Sequence, residues 1–248
     1  MLKALIFDVD GTLAETERDG HRLAFNRAFT EAGLDWHWSR EFYGQLLPVA
    51  GGKERIRFYI QYFCKDFQTP DRFDEFIATL HLNKTQQYQN LLRKGELPLR
   101  SGIKRLIDEA RDRGLRLAIA TTSAYPTTLA LLQSTLDPDW FEAIAAGDIV
   151  TSKKPAPDIY RYVLEQLNLE PSECIAIEDS EAGLQAAVGA NLKTIITANN
   201  YTKSQNFSQA TLILNGLGEP DRPFLSLRGG VGDRQYVDVP LLESLVGR

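Results

Sequence analysis

Two aspartates stand two positions apart near the start of the chain, in the stretch "ALIFDVDGTLAETE". An apolar run precedes Asp8, which we predict to be the last residue of a strand, and Gly11 lets the chain turn just after Asp10. Residues two apart on a strand face the same side, and two carboxylates held close together do not ionise alike. The pair therefore predicts an ionised nucleophile beside a carboxylic acid that donates a proton. The alternative is a solvated turn, because Asp and Gly are both common in turns.

Hydroxyl groups end a second apolar run, in the stretch "LAIATTS". Thr121, Thr122 and Ser123 close this segment, and hydroxyls at the carboxyl end of a strand can donate hydrogen bonds to a phosphate oxygen. Such residues also commonly satisfy the backbone of a loop, so this segment alone leaves both roles open.

A lysine pair precedes a proline in the stretch "SKKPAPDIY". Pro155 biases the backbone of Lys154 toward an extended conformation, and Pro157 favours the start of a helix. A lysine held at the entrance of a helix can reach an anion. The alternative for Lys153 and Lys154 is a pair of solvated side chains.

Two adjacent acids end a further apolar run, in the stretch "IAIEDSEAG". Glu178 and Asp179 come directly before Ser180, which we predict to cap a helix over residues 181–188. The structural alternative is that the acids favour the helix N-terminus through its dipole alone.

The elements that must position these residues are five short apolar runs, which predict strands, with helical patterns between them. Near-continuous apolar runs are typical of strands covered on both faces. Alternation of strand and helix predicts an α/β fold with a Rossmann-like, mostly parallel sheet. The predicted strands are Leu2–Phe7, Leu115–Ala120, Cys174–Ile177, Leu192–Thr197 and Thr211–Leu214.

One long insertion interrupts this alternation. Residues 16–97 contain no strand-like run, and their apolar residues recur at helical spacing. We predict a small all-helical cap domain there, and a catalytic core made of residues 1–15 and 98–248. Ligands of open parallel sheets bind beyond the carboxyl ends of the strands, so we expect the insertion to act as a lid.

The four polar segments are expected on one edge of the predicted sheet, since each follows a strand or begins a helix. They combine several carboxylates with a lysine and hydroxyls, and clustered carboxylates need a cation. Mg²⁺ suits oxygen ligands and usually bridges to a substrate phosphate. We therefore predict Mg²⁺ as the cofactor.

In order and form, the four segments resemble the four motifs of the haloacid dehalogenase-like superfamily of phosphotransferases. The resemblance covers nearly the whole chain and implies an enzyme that forms an aspartyl-phosphate. By motif position, Asp8 would be the nucleophile and Asp10 the general acid and base. Thr121 and Lys154 would bind the transferring phosphoryl group.

The resemblance also implies the ligands of the metal ion. Asp8, the backbone carbonyl of Asp10 and Asp179 would ligate Mg²⁺, with Glu178 alongside through water. Lys154 rather than Lys153 is assigned to the phosphoryl group, because the lysine of this family directly precedes the proline.

Within the insertion, two charged segments suggest a second polar site. Glu17 and His21 are four apart and would share one face of a helix. Lys53 and Arg55 follow two glycines, whose open backbone N–H groups at a helix start can bind an anion. The alternative is a charged surface at a helix start.

Four stretches resemble the CbbY-type sugar-phosphate phosphatases, namely "ETERDGHRLAFN", "GGKERI", "LPLRSGI" and "KKPAPDIY". Some members of that subgroup hydrolyse xylulose 1,5-bisphosphate to xylulose 5-phosphate and phosphate. The resemblance implies that Glu17 and His21 contact the sugar hydroxyls and that Lys53 and Arg55 bind the far phosphate. Thr122 and Ser123 are also expected to bind the substrate.

Two other functions stay open at this point. β-Phosphoglucomutase-like enzymes share the same scaffold, so a phosphosugar mutase is the nearest alternative. A non-enzymatic binding or regulatory protein on the same fold is the other, although intact Asp8, Asp10, Lys154 and Asp179 argue against it.

The composition limits the partners and the compartment. A net charge of −5 over 248 residues argues against nucleic acid or an anionic membrane as the main partner. Cys64 and Cys174 lie too far apart to suggest a disulfide framework, which indicates a reducing compartment, and Cys174 is expected to be buried. The chain enters a strand pattern at once, with no signal-peptide pattern. We expect a monomer in the cytoplasm or, as a mature protein, in the stroma of an organelle.

Overall fold

The computed structural model describes residues 1–49 and 51–246. The chain forms two compact units. The first, called the core unit here, comprises Met1–Glu15 and Pro98–Arg248, and the second, the helical unit, comprises Thr16–Leu97. The predicted domain ranges also include residue 50 and residues 247–248, which lie outside the described residues.

One sheet of seven strands, counted over the described residues, organises the core unit, with the order β3-β2-β1-β4-β5-β6-β7. Neighbouring strands are parallel except for β7, which runs antiparallel to β6. The predicted Rossmann-like α/β fold with a mostly parallel sheet is therefore confirmed. The strands are β1 Ala4–Phe7, β2 Arg116–Thr121, β3 Ala143–Ala146, β4 Cys174–Glu178, β5 Lys193–Thr197, β6 Leu212–Leu214 and β7 Ser226–Arg228.

The first strand lies in the middle of this sheet, between β2 and β4. Ala4 pairs with Arg116 on one side and with Cys174 on the other. Asp8 lies one residue beyond the strand rather than at its last position, and its backbone N–H donates to the carbonyl of Ile177 at 3.0 Å. This parallel arrangement brings the carboxyl ends of β1, β2 and β4 together, and with them three of the four polar segments.

Helices cover the sheet and bury its apolar side chains. Ala4 and Ile6 of β1 share one core cluster with Ile159 and Val163 of the helix Asp158–Leu167, called α7. Leu5 and Phe7, which alternate with them along the strand, are also fully buried and therefore face the opposite layer. The helices of the core unit are α5 Ile103–Asp112, α6 Tyr125–Thr135, α7 Asp158–Leu167, α8 Glu181–Gly189 and α9 Val239–Val246, and 3₁₀ turns span Pro138–Trp140 and Pro171–Glu173.

The cap of α8 is the one that the sequence predicts. The side chain of Ser180 accepts a hydrogen bond from the backbone N–H of Gly183 at 3.1 Å. This fixes the start of α8 shortly after Glu178 and Asp179. Glu178 therefore ends β4, and Asp179 lies in the tight connection to the helix.

The C-terminal part of the chain packs on the core unit. Val239 and Leu242 of α9 are fully buried, and the Nζ of Lys193 donates to the carbonyl of Leu245 at 2.6 Å. Cys174 is buried in β4, as expected. In the described part of the chain, no helix combines the length and the hydropathy that crossing a membrane requires.

The helical unit is built around aromatic side chains. The ring of Phe25 lies 4.7 Å from that of Trp38, and the ring of Phe29 lies 4.8 Å from it, between centroids. The side chain of Asn26 accepts a hydrogen bond from the backbone N–H of Trp38 at 2.9 Å and donates to the backbone carbonyl of Trp38 at 3.0 Å. The elements are a π-helix at Thr16–His21 and α-helices α1 Arg22–Glu31, α2 Arg40–Leu46, α3 Gly52–Phe63 and α4 Phe73–Arg93.

Candidate active site

The loop after β1 approaches Asp179 very closely. Gly11 has a φ of +84°, and a Cβ atom at this position would lie 2.3 Å from the Oδ2 of Asp179. Only glycine satisfies both the left-handed backbone and this close approach. The "DVDGT" turn and the acidic "EDS" turn therefore meet, although about 170 residues separate them along the chain.

Lys154 links the carboxylates of the first and fourth segments. Its Nζ donates to the Oδ1 of Asp8 at 2.7 Å, to the Oε1 of Glu178 at 2.6 Å and to the carbonyl of Ala120 at 2.8 Å. The side chains of Lys154, Asp8 and Glu178 are 6%, 9% and 0% exposed. Burial acts to lower the pKa of Lys154, but the charges of Asp8 and Glu178 outweigh it and raise that pKa. The lysine is therefore a fixed cation beside Asp8.

Lys153 has a different environment. Its side chain is 52% exposed and lies 2.9 Å from a carboxylate oxygen of Asp148. The peptide bond between Lys154 and Pro155 is cis. Of the two lysines, the structure brings Lys154 to Asp8, and Lys153 forms a surface ion pair.

Three buried carboxylates converge at this edge of the sheet. One oxygen of each of Asp8, Glu178 and Asp179 lies within 4.8 Å of the others. Burial raises the pKa of Asp179 well above its usual range, and the charges of Asp8 and Glu178 add to the shift. Burial, followed by the charge of Asp8, also raises the pKa of Glu178. A hard cation would relieve this repulsion, and the oxygen-only ligand set fits Mg²⁺.

The side chain of Asp10 is held by the second segment. The hydroxyl of Ser123 donates to the Oδ2 of Asp10, and the backbone N–H of Ser123 donates to the Oγ1 of Thr121 at 3.1 Å. Thr121 ends β2 and is 1% exposed, whereas the side chain of Thr122 is exposed. The structure therefore brings Ser123 to the predicted acid and base, and Thr121 contacts the backbone of Ser123.

Tyr160 is a member of the site that the sequence alone did not single out. Its hydroxyl donates to the Oε1 of Glu178 at 2.6 Å, and its ring centroid lies 5.2 Å from the Nζ of Lys154. Burial, and then the charge of Glu178, raise the pKa of Tyr160 well above its usual value, so the hydroxyl keeps its proton. Its position in "KKPAPDIY", on the helix that follows Lys154, was the available signal.

Arg100 connects the two chain segments that flank the insertion to the end of the sheet. Its Nε lies 3.0 Å from a carboxylate oxygen of Glu15, and its side chain is 8% exposed. Ala14 and Leu99 form an isolated antiparallel bridge beside this pair. The guanidinium also donates to the backbone carbonyls of Gly11, Thr197, Ala198 and Asn215. Arg100 therefore anchors the loop that carries Asp10.

In the helical unit, Glu17 belongs to a polar group with Tyr43 and Arg55. The hydroxyl of Tyr43 donates to the Oε2 of Glu17 at 2.5 Å, and the Nη1 of Arg55 donates to the same hydroxyl at 2.6 Å. Arg55 is 8% exposed, and its Nη1 lies 3.7 Å from the Oε2 of Glu17. Tyr43 was not among the predicted site residues, because it contacts Glu17 from a different helix.

His21 contacts Lys84 and Tyr88. The Nζ of Lys84 lies 2.9 Å from the Nδ1 of His21, and the ring of Tyr88 lies 4.0 Å from the imidazole, between centroids. Removal of the imidazole from water, and then the charge of Lys84, hold the pKa of His21 well below its usual value. His21 is therefore a neutral side chain that accepts at Nδ1. The segment is a π-helix, and its residues Glu17 and His21 contact different partners.

The predicted helix start after two glycines is present. Gly51 has a φ of +90° and precedes α3, which begins at Gly52. A Cβ atom at Gly52 would lie 2.5 Å from the Nε2 of His81, so the helix start and α4 are in close contact. Lys53 is exposed, whereas Arg55 is buried. The two predicted cations therefore have different environments.

Comparison with known proteins gives consistent results. A family model described as haloacid dehalogenase-like hydrolase matches residues 2–191. The plasmid protein CbbY of Cupriavidus necator is 48% identical over 90% of this chain and 88% of its own length. A phosphorylated carbohydrates phosphatase of Thermotoga maritima is 27% identical over 78% of this chain and 84% of its own length.

Solved structures of CbbY from Rhodobacter sphaeroides are also similar. They are 44% identical, cover 87% of this chain and 95% of theirs, and superpose with a TM-score of 0.71. One contains phosphate, and the other is a mutant in complex with xylulose-(1,5)bisphosphate.

Proposed function

Because the chain belongs to the haloacid dehalogenase-like hydrolase family and is a CbbY-type phosphatase, we propose a specific substrate and cofactor for it. The substrate is xylulose 1,5-bisphosphate, which gives xylulose 5-phosphate and phosphate, and the reaction requires Mg²⁺. The observation that carries this proposal is the contact of Asp8 with a buried lysine, beside two further buried carboxylates. The related protein bound to xylulose-(1,5)bisphosphate supports the choice of sugar.

The first chemical step is attack of Asp8 on phosphorus. A carboxylate oxygen of Asp8 forms a bond to phosphorus, and the bond from phosphorus to the sugar oxygen breaks. Because an anion attacks an anion, the cation of Lys154, 2.7 Å from Asp8, lowers the electrostatic barrier. The leaving oxygen takes its proton from Asp10.

The second step releases phosphate. Asp10, now ionised, takes a proton from water as the water oxygen attacks phosphorus, and the bond to Asp8 breaks. The hydroxyl of Ser123 donates to the carboxylate of Asp10 and so orients this carboxylate for its role as general base. The products are inorganic phosphate and the free carboxylate of Asp8.

The residues that would hold Mg²⁺ are Asp8, Asp179 and the backbone carbonyl of Asp10, with Glu178 alongside through water. When bound, Mg²⁺ supplies positive charge to the phosphoryl oxygens and orients the group for in-line displacement. Thr121 donates to the same phosphoryl group. The convergence of three buried carboxylates supports this assignment.

Sugar recognition is assigned to the polar groups of the helical unit. Glu17 accepts hydrogen bonds from sugar hydroxyls, and neutral His21 serves as a further partner for them. Lys53 and Arg55 bind the second phosphate.

The test of the proposed function is release of phosphate from a panel of sugar phosphates, with Mg²⁺ and with a chelator. The panel contains xylulose 1,5-bisphosphate, xylulose 5-phosphate, ribulose 1,5-bisphosphate and glucose 1-phosphate. We expect one phosphate per xylulose 1,5-bisphosphate, with turnover lost in the chelator. Preference for another sugar would overturn the substrate, and metal-independent turnover would overturn the cofactor.

The same panel distinguishes a phosphosugar mutase. A mutase converts glucose 1-phosphate to its isomer and releases little phosphate, whereas a phosphatase releases phosphate without forming the isomer. Isomer formation as the main reaction would replace the proposed function.

A further inference from the structure

Asn199 contacts Asp179 from the loop that follows β5. Its Nδ2 donates to the Oδ2 of Asp179 at 2.7 Å. Asp179 is 5% exposed, so this hydrogen bond is shielded from water. None of the predicted site residues lies in this loop, because an asparagine after a strand gives no chemical signal by itself.

The orientation of the Asn199 amide is fixed by its other end. The Oδ1 accepts from the backbone N–H of Tyr201 at 2.8 Å and from that of Thr202 at 3.2 Å. The backbone N–H of Asn199 donates to the Oγ1 of Thr202 at 3.1 Å. Since two backbone donors occupy the amide oxygen, the amide nitrogen is the group that faces Asp179.

Gly11 packs against the hydrogen bond between Asn199 and Asp179. A Cβ atom there would lie 2.9 Å from the Nδ2 of Asn199 and 2.3 Å from the Oδ2 of Asp179. The backbone of Gly11 therefore packs against both partners of the hydrogen bond. The carboxylate of Asp179 is held between a fixed donor and the loop that carries Asp8 and Asp10.

We propose that Asn199 is a positioning residue that orients the carboxylate of Asp179 for binding of the divalent cation. The inference rests on the proposed function, since it concerns the same metal site. A donor fixed on one carboxylate oxygen restricts rotation of the group, and partners of this kind typically change metal affinity about 10–100-fold when removed. Asn199 acts through Asp179 and has no contact with the substrate in this role.

The test is direct measurement of Mn²⁺ binding, from the spectrum of free Mn²⁺ in electron paramagnetic resonance titrations without substrate. Mn²⁺ prefers the same oxygen ligands as Mg²⁺. We expect Asn199→Ala to bind Mn²⁺ about tenfold more weakly than wild type. The matched control is Asn200→Ala, which changes the exposed neighbour and should retain wild-type affinity.

A second variant separates positioning from support of the loop. A serine hydroxyl can accept from the backbone of the turn but is too short to reach Asp179. We therefore expect Asn199→Ser to keep a melting temperature near that of wild type and still bind Mn²⁺ about tenfold more weakly. If Asn199→Ser binds Mn²⁺ as wild type does, the donor is not needed and the inference fails.

Failure of this inference is distinguishable from failure of the proposed function. A wild-type protein that neither binds Mn²⁺ nor hydrolyses sugar phosphates would overturn both. A wild-type protein that does both, with Asn199→Ala indistinguishable from Asn200→Ala, would overturn the inference alone. The Mg²⁺ concentration for half-maximal activity should rise in both Asn199 variants by the same factor as the Mn²⁺ affinity falls.

Discussion

The Nζ of Lys154 lies 2.7 Å from the Oδ1 of Asp8, although the two residues are 146 positions apart. The same ammonium group donates to Glu178 at 2.6 Å, so one cation serves two buried carboxylates. With Asp179 also buried nearby, the negative charge exceeds the positive charge of the lysine. This excess of carboxylates is the feature that could hold a metal ion.

Replacement of Lys154 by methionine should destabilise the metal-free protein. The change leaves Asp8 and Glu178 buried without their shared cation, and removal of one partner from a buried ion pair typically costs about 3–5 kcal/mol. Urea unfolding with a chelator present measures the difference. The control is Lys153→Ala on the surface, which should change stability by about 0.5 kcal/mol or less. Equal stability of the two variants would contradict the role given to Lys154.

Asp8→Asn should abolish turnover and leave the fold intact. The amide keeps an oxygen that can accept from Lys154 but cannot attack phosphorus, so we expect a loss on the order of 10³-fold or more in kcat. Circular dichroism and thermal unfolding report on the fold. The surface change Asp148→Asn, at a side chain that is 91% exposed, should retain full activity. Near-normal turnover by Asp8→Asn would exclude Asp8 as the nucleophile.

Asp179→Asn should stabilise the metal-free protein near pH 7.5. Burial, followed by Asp8 and Glu178, raises the pKa of Asp179 in the folded state, so its ionised form opposes folding. Stability from such a group is present at low pH and lost as the pH rises through the folded-state pKa. Because 1 kcal/mol shifts the melting temperature of a protein of this size by about 2–4 °C, the variant should melt a few degrees above wild type. The difference should shrink as the pH falls, and a difference that grows at low pH would contradict this account.

Tyr160→Phe tests the contact between Tyr160 and Glu178. The phenylalanine ring keeps the packing but removes the donor to a buried carboxylate, and a hydrogen bond to a charged group is worth about 1.5–3 kcal/mol. Urea unfolding should show that loss. Tyr162→Phe, two residues further along α7 and half-buried, serves as the control and should change stability by about 0.5 kcal/mol or less. The proposal fails if both tyrosines respond alike.

Glu17→Ala should separate sugar recognition from phosphoryl transfer. Loss of a charged hydrogen-bond acceptor corresponds to about 1.5–3 kcal/mol, which is roughly a tenfold to hundredfold fall in kcat/KM for xylulose 1,5-bisphosphate. A small aryl phosphate has no sugar hydroxyls, so its kcat/KM should change little. Equal losses on both substrates would argue against a sugar-reading role for Glu17.

The residues that the sequence singled out in the core unit have charged or hydroxyl side chains at a strand end or at a helix entrance. Asp8 and Asp179 could be proposed because each follows a clear apolar run, and Lys154 because it precedes Pro155 at a predicted helix start. Tyr160 and Asn199 were not proposed, because their importance comes from contacts with Glu178 and Asp179 rather than from their own type or spacing. Contacts between distant segments are set by packing, which a single sequence does not display.

The fold followed from the sequence where the apolar runs are rich in branched residues. The strand Ala143–Ala146 was missed because three of its four residues are alanine, which has a low preference for strands. The strand Ser226–Arg228 was missed because it is a three-residue edge strand in which Leu227 and Arg228 are exposed. Both lie at the ends of the sheet order. In the helical unit, Lys84 reaches His21 from another helix, and neither segment alone indicates that contact.

The central position of β1 also sets the order of events on the ribosome. This strand is complete at Phe7, but its two neighbours begin at Arg116 and Cys174. At a synthesis rate of about 5–20 residues per second, the first neighbour emerges roughly 5–20 s later. All of Thr16–Leu97 is made in that interval and has its own apolar interior. The whole insertion therefore emerges before either neighbour of β1, and the three buried carboxylates can meet only after Asp179 has been synthesised.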